Sequence, residues 1–200
     1  MEEKKADRRV RRTRALLRQA LTELLAEKDA RSITVQELTE RADVNRGTFY
    51  AHYKDIYDMI DKMEEDLFAE LTWLMEQYDP EKLKAGLEPV LTDVFRFVAK
   101  NKDLLPIFLE QRTADHFLLG LNRLIFQQCL NHWSGVYNLG RDVRGGYSLE
   151  FVVSGMVGLV RAWIQAGFRE SAEEMAHLTA HLIQNGLGAQ KLAFSPNMGQ

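Results

Sequence analysis

The chain predicts an all-α fold: an N-terminal three-helix helix-turn-helix domain and a C-terminal helical bundle, about nine helices in total. Three observations lead there. Apolar residues recur three and four positions apart along nearly every segment, the period of a helix with one buried face. Good helix-capping residues stand at the segment starts: Thr34, Asn45, Asp55 and Ser171. No stretch alternates apolar and polar residues as a half-buried strand would, and no internal repeat is visible.

The first helix is expected from about Arg9 to Glu27, with Val10, Leu17, Ala20, Leu21, Leu24 and Leu25 as its apolar stripe. Six arginines and no acid lie between Arg8 and Arg18. Placed near a helix start they oppose the macrodipole, a local cost that points to an anionic partner. Ile33 to Lys54 then reads ITVQELTERADVNRGTFYAHYK. Thr34 and Glu37 have the spacing of a capping box, flanked by Ile33 and Leu38 at staple positions; Asn45 caps a second helix, with Val44 and Phe49 repeating the staple. Only Ala42-Asp43-Val44 separates the two. A turn that short fixes the angle between helices, so that one can enter a major groove while the other crosses the backbone.

Asp55 is expected to cap a long helix running to about Tyr78, and Asp79-Pro80 to end it or begin another. Pro89 places the next helix at Glu88 to Lys100; Asn101 is expected to cap the shorter one that follows, with Pro106 tolerated in its first turns. A long helix is expected over about Ala114 to Tyr137, then a loop over Gly135 to Gly146, which holds four glycines. Two last helices, about Tyr147–Gly167 and Ser171–Gly186, complete the bundle, the second opened by the capping box Ser171/Glu174. The expected organisation is a charged tail at 1–8, a reader domain at 9–54, a helical ligand-binding and dimerisation domain at 55–188 and a loose tail at 189–200.

Composition narrows the function classes. Two hundred residues, 46% of them hydrophobic, suffice for a real core. Residues 1–56 carry 13 basic and 10 acidic side chains, and the remainder 13 and 19, so a basic end is joined to an acidic body. Next to a helix-turn-helix, such a patch favours phosphate attraction over a merely solvated face. The single cysteine, Cys129, allows no intrachain disulfide and reads as a small buried hydrophobe. The charged start lacks the apolar core of a signal peptide, and no run of about 18 apolar residues suggests a membrane span; a reducing cytoplasm is the expected compartment. His177 and His181, at i and i+4, are the one candidate metal spacing, but no further ligand joins them; an interface role is the simpler reading, and neither a metal nor another cofactor is expected. No phosphate loop, paired-carboxylate motif or nucleophile elbow points to an enzyme.

The motif I-T-V-x-E-L-x-x-x-A-x-V-N-R-G-T-F-Y-x-H-Y-K-D behind an Arg-rich helix resembles the DNA-binding segment of the TetR family of bacterial regulators, closely over residues 9–60. The C-terminal helices, with Gly155, Gly158 and Trp163, resemble the family in number and order more than in sequence. The resemblance implies an all-helical homodimer, binding palindromic double-stranded DNA with its N-terminal domains and a candidate small apolar effector with the C-terminal ones. One departure is visible: Ile56 stands where many members carry a phosphate-anchoring lysine, and Lys54 is the nearest replacement.

Side-chain chemistry assigns the expected contacts. Arg46 can fork onto guanine, Gly47 lets the backbone approach the groove, and Thr48 offers a hydroxyl or a methyl. Tyr50, His52 and Lys54 suit phosphate oxygens, Tyr50 and His52 also by the resemblance. Thr34 presents its capped helix start to a phosphate, and Gln36 can reach a base edge. Phe49 and Tyr53 are expected to pack against helix 1. In the C-terminal region Gln111, Arg112, Asn122, Gln127 and Arg161 are candidate orienting groups among mostly core aromatics. The last two helices carry apolar faces (Phe151, Val152, Met156, Leu159, Val160 and Trp163; Met175, Leu178, Leu182 and Ile183), and with Ser154, Gly155 and Gly158 they suit a four-helix dimer interface. The expected function is a ligand-released repressor. The alternatives are an activator or co-regulator whose C-terminal domain binds a protein partner, and a helical enzyme or carrier.

Overall fold

The computed structural model describes residues 2–110, 114–133 and 143–188. No strand occurs among them. The helices are α1 (Glu2–Glu27), α2 (Val35–Arg41), α3 (Arg46–Tyr50), α4 (Ile56–Glu76), α5 (Pro80–Lys84), α6 (Glu88–Lys100), α7 (Leu105–Glu110) and α8 (Ala114–Gln128). A π-helical turn (Cys129–Trp133) continues α8, and α9 (Val143–Gln165) and α10 (Ala172–Gly188) follow. The chain divides into two compact units, Met1–Glu70 with Asp103–Phe117, and Leu71–Lys102 with Leu118–Gln200.

The core of the first unit follows from the helical period. Leu17, Ala20, Leu21 and Leu24 of α1 are buried, as are Ile56, Met59, Met63 and Leu67 of α4, four positions at three- and four-residue spacing. Val10 ends the expected stripe of α1 exposed. Packing of α1 against α2, α2 against α3 and α1 against α7 closes the unit. Phe117 stacks on Phe108 and Phe68, with ring centroids at 5.0 and 5.4 Å.

In the second unit the most extensive contact joins α6 to α10. Phe95 meets Trp163 edge-on at 5.4 Å, and the Trp163 indole N–H donates to the Glu170 carbonyl. The end of α9 is a Schellman motif: the Gly167 N–H donates to the Ile164 carbonyl and the Phe168 N–H to that of Trp163. Gly167, at φ 76, supplies the left-handed residue, and Phe168 folds back on Trp163 at 5.0 Å. Both halves of the Ser171/Glu174 capping box form: the Glu174 N–H donates to Ser171 Oγ, and the Ser171 N–H donates to the Glu174 carboxylate.

Several boundaries differ from expectation. Helix α1 begins at Glu2, so the arginines from Arg8 onward lie beyond its first turn, where the dipole acts, and the expected conflict does not arise. Asn101 finishes α6 rather than starting α7, its side-chain amide donating to the Phe97 carbonyl. Helix α9 starts at Val143 and takes in Gly145 and Gly146, two of the glycines assigned to a loop; tertiary packing overrides weak propensity, and Gly145 is buried. The rest of that loop, Gln111, Arg112 and the tail from Ala189 lie outside the described residues. By length and composition one described segment, Gly145–Gln165, could cross a membrane, with 44% of its apolar window buried inside the protein.

Candidate nucleic-acid interface

The reader is built from two capped helices and one strained corner. Thr34 Oγ1 accepts from the Glu37 N–H at 3.2 Å and opens α2. The other half of that expected box is not made: the Glu37 carboxylate turns to Lys28, 2.6 and 2.7 Å away. A stronger, charge-assisted partner from the end of α1 displaces the local contact. Arg41 in the last turn of α2 donates to both oxygens of Glu27, holding that carboxyl below its usual range chiefly through the hydrogen bond. Two ion pairs thus pin α2 to the end of α1.

The corner between α2 and α3 is a second Schellman motif. The Val44 N–H donates to the Thr39 carbonyl and the Asp43 N–H to that of Glu40. Asp43 occupies the left-handed position at φ 51, where a short polar side chain is tolerated and most others are not. Asn45 then accepts from the Gly47 N–H at 2.7 Å and starts α3. A Cβ on Gly47 would lie 3.2 Å from the Asn45 cap oxygen, so glycine here also keeps room for its own helix cap.

Helix α3 splits cleanly into two faces. Phe49 is fully buried and Tyr53 nearly so, with ring centroids 5.6 Å apart; burial raises the Tyr53 phenol, opposed by the nearby charge of Arg14 from α1. Arg46 and Gly47 are exposed, Thr48 is half-buried, and Tyr50 is 58% exposed. Beyond the helix His52 is half-buried and Lys54 exposed. Thr34 and Gln36 are exposed on α2, with the Gln36 amide donating to Glu40. Five of the expected contact residues, Arg46, Gly47, Thr48, Tyr50 and His52, therefore fall within seven positions along one short helix and its exit, and Thr34 and Gln36 lie on the preceding helix. Ile56 is buried, so the position where a phosphate-binding lysine was missing belongs to the core.

Sequence reasoning passed over Asp58 and Lys62. The Asp58 carboxylate accepts from Lys62 at 2.8 Å and from the Lys54 N–H at 2.9 Å, which together hold it below the ordinary carboxylate range. Lys62 also donates to the His52 carbonyl at 3.1 Å. The signal was the i, i+4 spacing of acid and base on α4, common to many helices and silent about the third partner.

Comparison with known proteins agrees with this architecture. Residues 17–63 match the family of bacterial regulatory proteins of the tetR type, and residues 86–185 match a transcriptional regulator C-terminal region of the same kind. The chain belongs to the TetR family. A TetR-family chain is a transcriptional regulator of the DNA-binding, helix-turn-helix class. An HTH-type transcriptional regulator of Bacillus subtilis, YxbF, is 40% identical over 70 residues, a stretch covering 34% of this chain and 18% of that protein. Among solved structures, a TetR regulator from Streptococcus agalactiae is 22% identical with a TM-score of 0.62, covering 89% of this chain and 97% of its own. The regulator FadR of Bacillus subtilis, in complex with stearoyl-CoA, is 19% identical with a TM-score of 0.63, covering 86% and 98%. At those identities both share this chain's TetR fold.

Outside the reader the candidate groups are scattered. His177 Nδ1 lies 3.4 Å from Glu88, and His181 pairs with Asn185; among the described residues no group of three or more His, Cys, Asp or Glu side chains could hold a metal ion. Burial pushes the Cys129 thiol up to about 12, which leaves it protonated and a poor nucleophile at neutral pH. Asn122 is half-buried and its amide donates to the Leu118 carbonyl, while Gln127 and Arg161 are exposed.

Proposed function

We propose that the protein is a homodimeric regulator that binds a palindromic operator as a repressor and is released by a small apolar effector. The observation that carries the DNA half is the split of α3: Phe49 is wholly buried while Arg46, Gly47 and Tyr50 face solvent. In this reading Arg46, Thr48 and Gln36 meet base edges, Gly47 lets the backbone approach the groove, and Thr34, Tyr50, His52 and Lys54 meet phosphates.

Support for the dimer comes from the second unit. A groove of about 630 Å³ runs between α9 and α10, lined by Phe151, Met156, Leu159, Leu182 and Ile183 among others. Phe151 is 74% exposed and Leu182 50%, and both stand on the apolar faces that the sequence offers for a dimer interface. A Cβ on Gly155 or Gly158 would meet nothing, so the space beside both glycines is open to a second copy. Two such helix pairs related by a two-fold would make a four-helix interface, and the two-fold would match the operator's palindrome. The effector must bind the released state more tightly than the DNA-bound one. FadR's bound stearoyl-CoA makes a long-chain acyl thioester the first effector to try.

The test is selection of bound duplexes from a random pool by the full chain. A palindromic site with half-sites about one helical turn apart, roughly 34 Å, is expected. On that site Arg46→Ala should relax base preference at one position per half-site. Lys54→Ala should weaken every sequence alike and lower the salt slope by about 0.9 per contact. Failure to enrich any site ends the operator reading. A chain that sediments as a monomer at micromolar concentration ends the dimer, and would give the α9/α10 face to a protein partner instead.

A further inference from the structure

The ammonium of Lys62 makes three contacts with the exit of the recognition helix and the start of the next. It donates to the His52 carbonyl at 3.1 Å and to Asp58 Oδ2 at 2.8 Å, and lies 5.4 Å from the centroid of the Tyr53 ring. Ala51 is the C-cap of α3, so His52 is the first residue beyond that helix, and Lys62 supplies a donor to its carbonyl. The Asp58 carboxylate also accepts from the Lys54 N–H. One cation and one carboxylate on α4 therefore fasten three consecutive residues, His52, Tyr53 and Lys54, to its first two turns. They act on the polar side of the joint, whose apolar side is closed by buried Phe49, Tyr53 and Ile56.

We propose that Lys62 is a positioning residue for DNA reading, one that holds the exit of the recognition helix against α4 so that base and phosphate contacts are presented in one geometry. This rests on the operator reading given above. Groups at a recognition site must stay within a fraction of an ångström of their productive geometry, and such precision comes from residues behind the contact surface. The Lys62 side chain is 42% exposed, so the competing role is direct phosphate binding. The two roles differ in salt dependence and in discrimination. A phosphate ligand contributes to every sequence and to the salt slope, whereas a positioning residue contributes to the cognate site alone.

The experiment compares the full chain with Lys62→Met, Lys62→Arg and Asp58→Asn on two duplexes, the selected site and a scrambled duplex of equal length, across a salt series. Lys62→Met should lose about tenfold on the selected site, the usual scale for a charged hydrogen bond, and less than about twofold on the scrambled one. Its salt slope should match the parent's. Lys62→Arg should recover most of the discrimination. Asp58→Asn keeps an acceptor for the Lys54 N–H and loses only the charge holding the ammonium; about a threefold loss of discrimination is expected. If Lys62→Met fails to fold, as read by circular dichroism, Asp58→Asn decides alone. Equal losses on both duplexes with a salt slope smaller by about 0.9 would make Lys62 a phosphate ligand and overturn the proposal. Unchanged discrimination in the folded variants overturns it too. If the parent chain enriches no site, the operator reading falls and takes this inference with it; if it does, only the positioning role is at stake.

Discussion

In the helix-turn-helix, polar side chains such as Arg46, Tyr50 and Gln36 face outward over a fully buried Phe49, whereas α9 and α10 leave Phe151, Leu178 and Leu182 exposed over a buried Trp163 and Ala176. The two regions expose opposite chemistry and are held by different means. The reader adds to its buried core caps, a left-handed corner and ion pairs from Lys28, Arg41 and Lys62. The second unit rests on aromatic packing around Trp163 and on the long seam between α6 and α10, with Arg96 bridging to Glu173 at 2.8 Å. A polar edge on a rigid support suits a hydrated, charged partner; an apolar groove suits a surface that excludes water.

That comparison can be broken at four points. The largest effect is expected from Phe151→Glu with Leu182→Glu. On the proposed interface each charge is buried twice, at a cost of several kcal/mol per unpaired ion, so the variant should sediment as a monomer while keeping its helical circular dichroism. A dimer that persists moves the interface elsewhere. Next comes Phe49→Ala, which empties the seat of the recognition helix; a loss of about 3–5 kcal/mol in the first unit is expected in chemical denaturation. A loss below about 1 kcal/mol would mean that caps and ion pairs carry the reader alone.

Smaller effects sharpen the contrast. The Tyr78 hydroxyl donates to Asp93 at 2.5 Å and also lies 3.2 Å from the Pro89 carbonyl, tying the end of α4 to α6. Tyr78→Phe should cost about 1 kcal/mol, the net worth of a typical hydrogen bond. Burial, with help from the Asp93 hydrogen bond and charge, raises the phenol from 10.0 to about 12. A group whose folded value is raised stabilises fully below its unfolded value and loses that contribution as pH climbs. Melting of the parent should therefore weaken between pH 10 and about 12 more than that of Tyr78→Phe, measured by calorimetry. The smallest effect is Asp43→Gly. Relief of the left-handed backbone should outweigh the added freedom of the unfolded chain and stabilise the reader by about 0.5 kcal/mol. A loss of stability would show that the Asp43 side chain contributes more than its backbone costs.

Local order was readable residue by residue. Thr34, Asn45, Asp55 and Ser171 all cap helices, and α6 spans Glu88 to Lys100 as Pro89 implied, because caps and proline act within one turn. The orientation of α3 was legible for a related reason: Phe49 and Tyr53, four positions apart, share one face, so Gly47 and Ala51 on the far side had to face out. Asn101 was misjudged because a side-chain amide can serve the end of one helix as well as the start of the next, and the choice depends on where the chain turns. Gly145 and Gly146 were misjudged because propensity is weak beside packing.

The chain by itself determined its helical class, most of the caps and the tight corner before Arg46 and Gly47, since these follow from interactions spanning a few residues. Tertiary structure decided that Glu37 would pair with Lys28, that Lys62 would reach the His52 carbonyl, and that Phe151 would lie open beside a groove. Each of those outcomes depends on which surfaces meet across elements distant in sequence, and side-chain periodicity records that a face is apolar or charged without naming what comes to lie against it.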